Sequence, residues 1–564
     1  MTADEAFREA QARIKNLQGD SLDLSIFELE RLPEELALLT SLKSLNLSRC
    51  RVSDLSLLQQ LRELKSLSLE SLNVDTFQPL AQLACLHSLN LNGTNIQDLE
   101  DLKNLLELRV LNLTGAAQGK TLVPLARFRH LQELYLTGRG ETDIGPLQEL
   151  TSLRILGLGG AGITDVTPLR DLGNLEVLDL DDFGGPLVDL SPLASLKKLT
   201  SLNLSGQQVL IDLAPLRFLN QLKILDLSFC PVTDFLPLQS LTKLTSLRLN
   251  FTSVGDLSPI KELPLEELHV DGDNLGDLSC LGGLSRLVSL RLAGSTWGDN
   301  SARSPLDFSA IGKLARLQEL EIYLPALSLS FLETCGALKS FSIGSQPFTE
   351  VKSFRNLLEL ESLCLNDWEI LADLSALSAL RKLAKLELGR CQAIVDLSPV
   401  TDLPNLRELK IVGANRLTDV SMLGNLHSLE RLELTHCREI SYIGSFRELA
   451  CLKELWIESG KFSDISGLAH LPALEYLVLA DCEKLTDISV VATLPKIRSL
   501  CLNASTKITS IGPLEAIIGQ LSQLELDGCE FADAPDLAIG FEEDMTAEVR
   551  HYFEAAAKRS TTTY

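Results

Sequence analysis

The sequence predicts an α/β repeat solenoid: a curved horseshoe with a parallel sheet on its concave side and short helical turns on its convex side. Three observations carry that prediction. A core L-x-L recurs about 23 times at intervals of about 21 to 24 residues. Each copy extends to L-x-x-L-x-L, then a small residue, an apolar residue, and Asp with an apolar pair, as in SLKSLNLSRCRVSDLSLL, SLRILGLGGAGITDVTPL and QLKILDLSFCPVTDFLPL. The chain has 564 residues, beyond the roughly 250 to 300 at which a single hydrophobic core stops growing. A repeat array escapes that limit because each unit buries its apolar face only against its neighbours.

Within a repeat, the last two leucines of L-x-x-L-x-L alternate with polar residues, so a short strand turns them inward and leaves the intervening side chains outside. Stacked copies make a parallel sheet. The following D-L-S-P-L, as at Asp189 to Leu193, Asp256 to Ile260 and Asp396 to Val400, suits a short helical turn. Aspartate caps free amides, and proline is tolerated in the first turn, where no amide bond is lost.

These D-L-S-P-L units resemble the short leucine-rich repeats of internalins and related cytoplasmic proteins, over about nine-tenths of the chain. The resemblance implies a leucine-rich-repeat solenoid. It implies little about function, because such repeats serve adhesion, enzyme regulation and sensing alike. The ends, ARIKNL with LDLSIFELERLPEEL before the array and EVRHYFEAAAKR after it, resemble the leucine-rich segment of bacterial Roco-type signalling proteins.

The expected organisation is an N-terminal capping helix over residues 1–20, a first sub-array over 21–292, and an irregular junction over 293–350. A second sub-array over 351–530 and a C-terminal capping helix with a flexible tail over 531–564 complete it. Phe7, Ala10, Ile14 and Leu17 form one face of the first helix and are expected to seal the first repeat. Met545, Val549, Tyr552 and Phe553 are expected to cover the last strand. At the junction the repeat lengthens to about 30 residues around STWGDNSARSPLD, and YLPALSLSFLETC and SFSIGSQPFTE lack the aspartate. Trp297 in that insertion is a candidate contact residue.

Twelve cysteines form no C-x-x-C pair. Cys50, Cys230, Cys391, Cys437, Cys482 and Cys529 each sit three residues after the last strand leucine, where such repeats carry an inward Asn that bonds neighbouring backbones. Cys, Thr and Ala fill the slot here as small buried residues. Cys85 and Cys451 share a second slot, just before the first leucine, and are read with the others as buried structural thiols. Free thiols in bulk favour a reducing compartment.

The formal net charge is −25, which repels phosphate backbones and anionic lipid, so neither nucleic acid nor membrane is expected as a partner. A protein with a basic surface is favoured. No run approaches the roughly 18 apolar residues of a membrane span, and acids occupy the start where a signal peptide needs an apolar stretch. The expected setting is cytoplasmic.

No catalytic, cofactor-binding or metal-binding residue is assigned. GAAQGKT, Gly115 to Thr121, is one residue short of a phosphate-binding loop, with Thr114 where the first glycine is required. The seven histidines form neither H-E-x-x-H nor a nucleophile motif. Asp179, Asp181 and Asp182 with Asp226 form an acidic strip that lacks the spacing of a calcium loop and reads first as a solvated face.

Two stretches of the outward face stand apart from the Ser- and Asn-rich start of the array, where Ser44, Asn46, Ser48, Ser66, Ser68, Glu70, Ser88, Asn90 and Asn92 are expected. In the first, Asp179, Asp181 and Asp226 are followed by Arg248, His269 and Arg291, with Phe229 and Phe251 just beyond their strands. Such a change of charge fixes a partner's register. In the second, Trp456 lies beside Tyr476 and Val478, an outward aromatic cluster of the kind that anchors interfaces. The sequence therefore reads as a non-catalytic protein-interaction scaffold that binds on its concave face. The alternatives are a sensor or regulatory segment of a larger signalling NTPase, or a secreted effector or adhesin.

Overall fold

The computed structural model describes residues 2–116, 121–138, 143–183, 185, 187–272, 274–294, 304–534, 537 and 544–561. Trp297, residues 117–120 of the GAAQGKT segment and the last three residues of the tail lie outside them. Two compact units divide the chain, Met1–Gly276 and Asp277–Tyr564.

The first unit opens with helix α1 (Ala3–Lys15), whose N-cap Thr2 and N3 Glu5 form a reciprocal capping box. Its buried face is Ala6, Ala10 and Ile14. Phe7 and Leu17, expected in that face, are only half-buried, and the Phe7 ring instead lies under the Arg31 guanidinium at 4.4 Å. Among the described residues twelve strands follow, from β1 (Ser21–Asp23) to β12 (Glu267–Asp271). Consecutive strands pair in parallel with the leucines in register, Leu22 to Leu45, Leu45 to Leu67 and onward.

Among its described residues the second unit holds eleven strands, from β13 (Ser289–Ala293) to β23 (Gln523–Glu525), followed by helix α2 (Thr546–Thr561). Met545 and Val549 are buried as expected. Tyr552 and Phe553 are half-buried, and the Tyr552 hydroxyl donates to the Asp533 carbonyl. The edge of β23 is met by this segment: Met545 N donates to Leu524 O, and Leu524 N donates to Asp544 Oδ1. The amide and carbonyl of Leu524 are thereby satisfied where, among the described residues, no further strand supplies partners.

Both units use one local rule. Each strand buries its leucines and leaves the residues between them on an open face, as in the half-buried, buried, half-buried pattern of Ser201–Asn203. Opposite the sheet the chain forms a 3-10 turn in nearly every described repeat. The aspartate before that turn accepts the amide two residues on, at 2.8 Å from Asp189 to Ser191, Asp277 to Ser279, Asp373 to Ser375 and Asp464 to Ser466. In the repeat of YLPALSLSFLETC, Ser328 Oγ accepts from Ser330 N in place of the missing aspartate. Leucines spaced by three, such as Leu190, Leu193, Leu196 and Leu199, carry the core between turn and strand. Each buried leucine contributes about 1.5 to 3 kcal/mol.

The cysteine slot behaves as its position demands. Cys50, Cys230, Cys391, Cys437, Cys482 and Cys529 are buried, and each Sγ faces a carbonyl of the preceding repeat, Cys230 to Leu204 O and Cys529 to Leu502 O at 3.1 Å. In four other repeats a stronger donor takes the bond. Gln207 Nε2 reaches Leu180 O at 2.7 Å, Gln346 Nε2 reaches Leu324 O at 2.9 Å, Trp368 Nε1 reaches Ile343 O at 3.3 Å and Ser505 Oγ reaches Leu479 O at 2.8 Å. Burial pushes the thiols of Cys230, Cys391 and Cys482 up to about 12, which removes the thiolate that redox or metal chemistry requires. The reading fails for Cys85 and Cys451, which are exposed. Their slot lies in the surface turn that leads into the strand, so counting back from the leucine places them outside the core.

Candidate functional site: the open face of the sheet

In the first unit the acidic strip spans β8 (Val177–Asp179), β9 (Ser201–Asn203) and β10 (Ile224–Asp226) and meets β11 (Ser246–Asn250) and β12. Register places Asp179, Asn203, Asp226, Arg248 and His269 in one row across these strands. The expected change of charge along the row is therefore present. Its two halves differ in how they are satisfied. Arg248 donates to Glu267 Oε1 at 2.8 Å, and His269 Nε2 lies 3.4 Å from the same oxygen. Glu267, which sequence reasoning passed over, is set beside Ser246 by the register and also accepts its hydroxyl. These contacts hold the Glu267 carboxyl below its usual range against the opposing effect of burial.

The acidic half has no such counter-charge: among the described residues no ion pair reaches Asp179, Asp181, Asp182 or Asp226. Burial, followed by the neighbouring charge of Asp179 and by Asp182 and Asp226, pushes the Asp181 carboxyl up to about 6. Asp181 lies flat over Gly159, where a Cβ would stand 1.9 Å from its Oδ1. Asp182 accepts the Gly162 amide. These carboxylates do not converge on a metal-ligating group among the described residues.

Asp179 and Asp226 also have a structural task. Asp226 Oδ1 accepts Ser228 N at 2.8 Å, as Asn46 Oδ1 accepts Ser48 N, Asn112 Oδ1 accepts Thr114 N and Asn203 Oδ1 accepts Ser205 N at about the same length. Neutral asparagine performs that task in the neighbouring repeats, so the bond does not require the charge.

Three phenylalanines border the strip. Phe229 and Phe251 occupy adjacent repeats at φ 60° and 56°, the left-handed region that a bulky residue adopts at a cost of about 1 to 3 kcal/mol. Their rings stack at 4.6 Å with 14° between planes, and Phe183 closes on Phe229 at 4.9 Å. Glycine at 206, the equivalent position between them, leaves room for that approach: a Cβ there would meet the Asp182 and Phe183 backbone at 2.8 Å. Phe183 is 70% exposed. The sequence pointed to Phe229 and Phe251 but not to Phe183, which sits one position out of line with them.

Arg291, the last member of the expected strip, belongs to the second unit. It pairs with Glu321 of β14 (Glu319–Tyr323), and its guanidinium lies 5.2 Å from the Tyr323 ring centre.

The aromatic cluster occupies β20 (Glu454–Glu458) and β21 (Tyr476–Ala480), where Trp456 pairs with Val478 and Glu454 with Tyr476. Tyr476 is exposed, while Trp456 and Val478 are half-buried. The Trp456 ring is partly covered by Arg431 of β19 (Arg431–Thr435), 5.7 Å from the ring centre. Arg431 is itself held by Glu454 at 2.7 Å, and Glu433 takes Lys410 at 2.9 Å.

Across the described residues three buried side-chain polar atoms have no hydrogen-bond partner: Ser228 Oγ, Asn250 Oδ1 and Trp456 Nε1. All three belong to the open face. Buried polar groups are otherwise nearly always satisfied.

The chain has the fold of a leucine-rich-repeat solenoid. No protein-family model and no curated relative matches it. Among solved structures it is similar to TLR13 in a TLR13–ssRNA13 complex, at 19% identity and TM-score 0.55, covering 93% of this chain and 83% of that one. A leucine-rich-repeat protein of Leptospira interrogans gives 22% identity and TM-score 0.50, over 74% and 97%. An internalin of Listeria monocytogenes gives 27% identity and TM-score 0.46, over 58% and 87%. Among the described residues no helix is long and apolar enough to cross a membrane.

Proposed function

We propose that this protein is a non-catalytic interaction scaffold, working in the cytoplasm, that recognises a partner protein on the open face of its sheet. The observation that carries the reading is the placement of the unsatisfied polar atoms. A buried donor or acceptor without a partner costs about 1 to 3 kcal/mol. Among the described residues all three such atoms belong to strand residues, or to the strands' continuations, on the face that sequence pattern alone marks for contact. These atoms are closed off from solvent in the free chain, so a partner that turns the side chains outward and supplies the missing bonds recovers that cost on binding.

In the second unit the contact centres on Trp456, Tyr476 and Val478. Trp456 offers a half-buried ring, and Tyr476 offers an exposed ring beside it.

The test is affinity capture with wild type, Trp456→Phe and a Trp456→Ala, Tyr476→Ala double variant, each checked for folding by circular dichroism. A protein retained by wild type, weakened by the phenylalanine and lost with the double variant is the expected result. Equal capture by all three rejects the contact.

A further inference from the structure

The acidic strip of the first unit has the chemistry of a receptor for one kind of side chain. Its groups are carboxylates, amide and hydroxyl oxygens able to accept hydrogen bonds, and ring faces. Asp179, Asp181 and Asp226 bring carboxylates without counter-ions among the described residues. The side-chain oxygen Oδ1 of Asn250 is buried and unpaired. Ser228 is only 4% exposed, stands on the same face as Asp226, and its hydroxyl has no partner. The ladder continues past the named strand ends through Phe229 N to Asn250 O at 2.7 Å, so Ser228 and Asn250 are neighbours in the next row. Beside them runs the Phe183, Phe229 and Phe251 ladder.

A guanidinium is the complement of this set. It carries five donors and no acceptor, remains charged throughout the physiological range, and stacks its plane on aromatic rings. A lysine ammonium satisfies fewer of these groups and stacks less well. The charge of the patch is also surplus to the fold, since asparagine performs the backbone role of Asp226 at position 203. We propose that this patch docks an arginine side chain carried on an extended segment of a basic partner protein. The proposal rests on the scaffold reading above and adds a second, chemically defined contact to it.

The probe is a fluorescein-labelled (Gly-Ser-Arg)3 peptide, alongside peptides with lysine or citrulline in place of arginine, followed by anisotropy against the full chain. Citrulline keeps the shape of arginine and removes its charge. The expected result is saturable binding of the arginine peptide, weaker binding with lysine, and at least tenfold weaker binding with citrulline. The Asp181→Asn, Asp226→Asn double variant should lose at least tenfold, and Phe229→Gly, which restores the usual glycine, at least threefold. A charge-matched control, Glu107→Gln with Glu262→Gln at exposed positions outside the patch, should change binding less than twofold. Equal loss with the control, equal binding of citrulline, or no binding of the arginine peptide overturns the proposal. A partner that is still captured and still lost with the Trp456 variant would then leave the scaffold reading standing without this site.

Discussion

The carboxyl of Asp181 lies over Gly159 with Asp179 beside it, and its ionisation is resisted first by burial and then by that neighbour. Its folded-state value near 6 stands above the unfolded value of about 3.9. Below about pH 4 both states hold the proton. Between pH 4 and 6 only the folded state does, so its contribution to stability is lost as pH rises through 6. Asp181→Asn should leave stability unchanged at pH 4 and raise it by about 1 kcal/mol at pH 7.5, allowing for solvent screening at a partly exposed site. Urea titrations at the two pH values check this, and an equal effect at both rejects it. Gly159→Ala should displace the carboxyl toward water and return its NMR titration midpoint toward 4. The residue scale is also where the sequence was least legible. The positions of Asp179, Asp226, Arg248 and Trp456 follow from counting along a strand. The neutralisation of Arg248 by Glu267 follows only from register between strands, and the approach of Phe183 to Phe229 only from the missing side chain at Gly206.

At the scale of the element, the strands, the turns and the cysteine slot were readable because each is fixed by spacing within one repeat. The exposure of Cys85 and Cys451 and the half-burial of Phe7 were not, since they depend on how a turn or a terminal helix sits against its neighbours. The slot itself permits a graded test. Gln207 joins two repeats by donating to Leu180 O and accepting from Leu187 N, so Gln207→Leu strands both groups and should cost about 2 to 3 kcal/mol. Cys437→Ala loses the weak contacts of one thiol, 3.7 Å to Ile411 O and 3.4 Å to Thr435 O, and places there a residue that Ala116, Ala161 and Ala414 already use. Its cost should be about 1 kcal/mol; denaturant midpoints separate the two. The turn aspartates act in the opposite sense to Asp181. Hydrogen bonds from Ser375 hold the Asp373 carboxyl below its ordinary value, so its contribution is present above about pH 4 and is lost as pH falls further. Asp373→Ala should lower the hydrogen-exchange protection of the Ser375 amide, while Asp373→Asn, which keeps an acceptor oxygen, should retain most of it.

For the whole molecule, the net charge of −25 matters more for encounter than for fold. A field of one sign draws a basic partner from a distance, and salt shortens its reach from about 30 Å at 0.01 M to about 8 Å at 0.15 M. Aromatic contacts such as those expected at Trp456 and Tyr476 are short-ranged and act once the partner has arrived, on the rate of leaving. The two patches should therefore separate kinetically. For a captured basic partner, the association rate should fall at least tenfold between 20 and 300 mM salt and fall again with Asp181→Asn, Asp226→Asn. The dissociation rate should be nearly independent of salt and rise with the Trp456→Ala, Tyr476→Ala variant. Stopped-flow or surface-binding kinetics read both rates directly. An association rate indifferent to salt would mean that the charge serves the solubility of a long repeat array and takes no part in recognition, whatever the partner then does at the aromatic cluster.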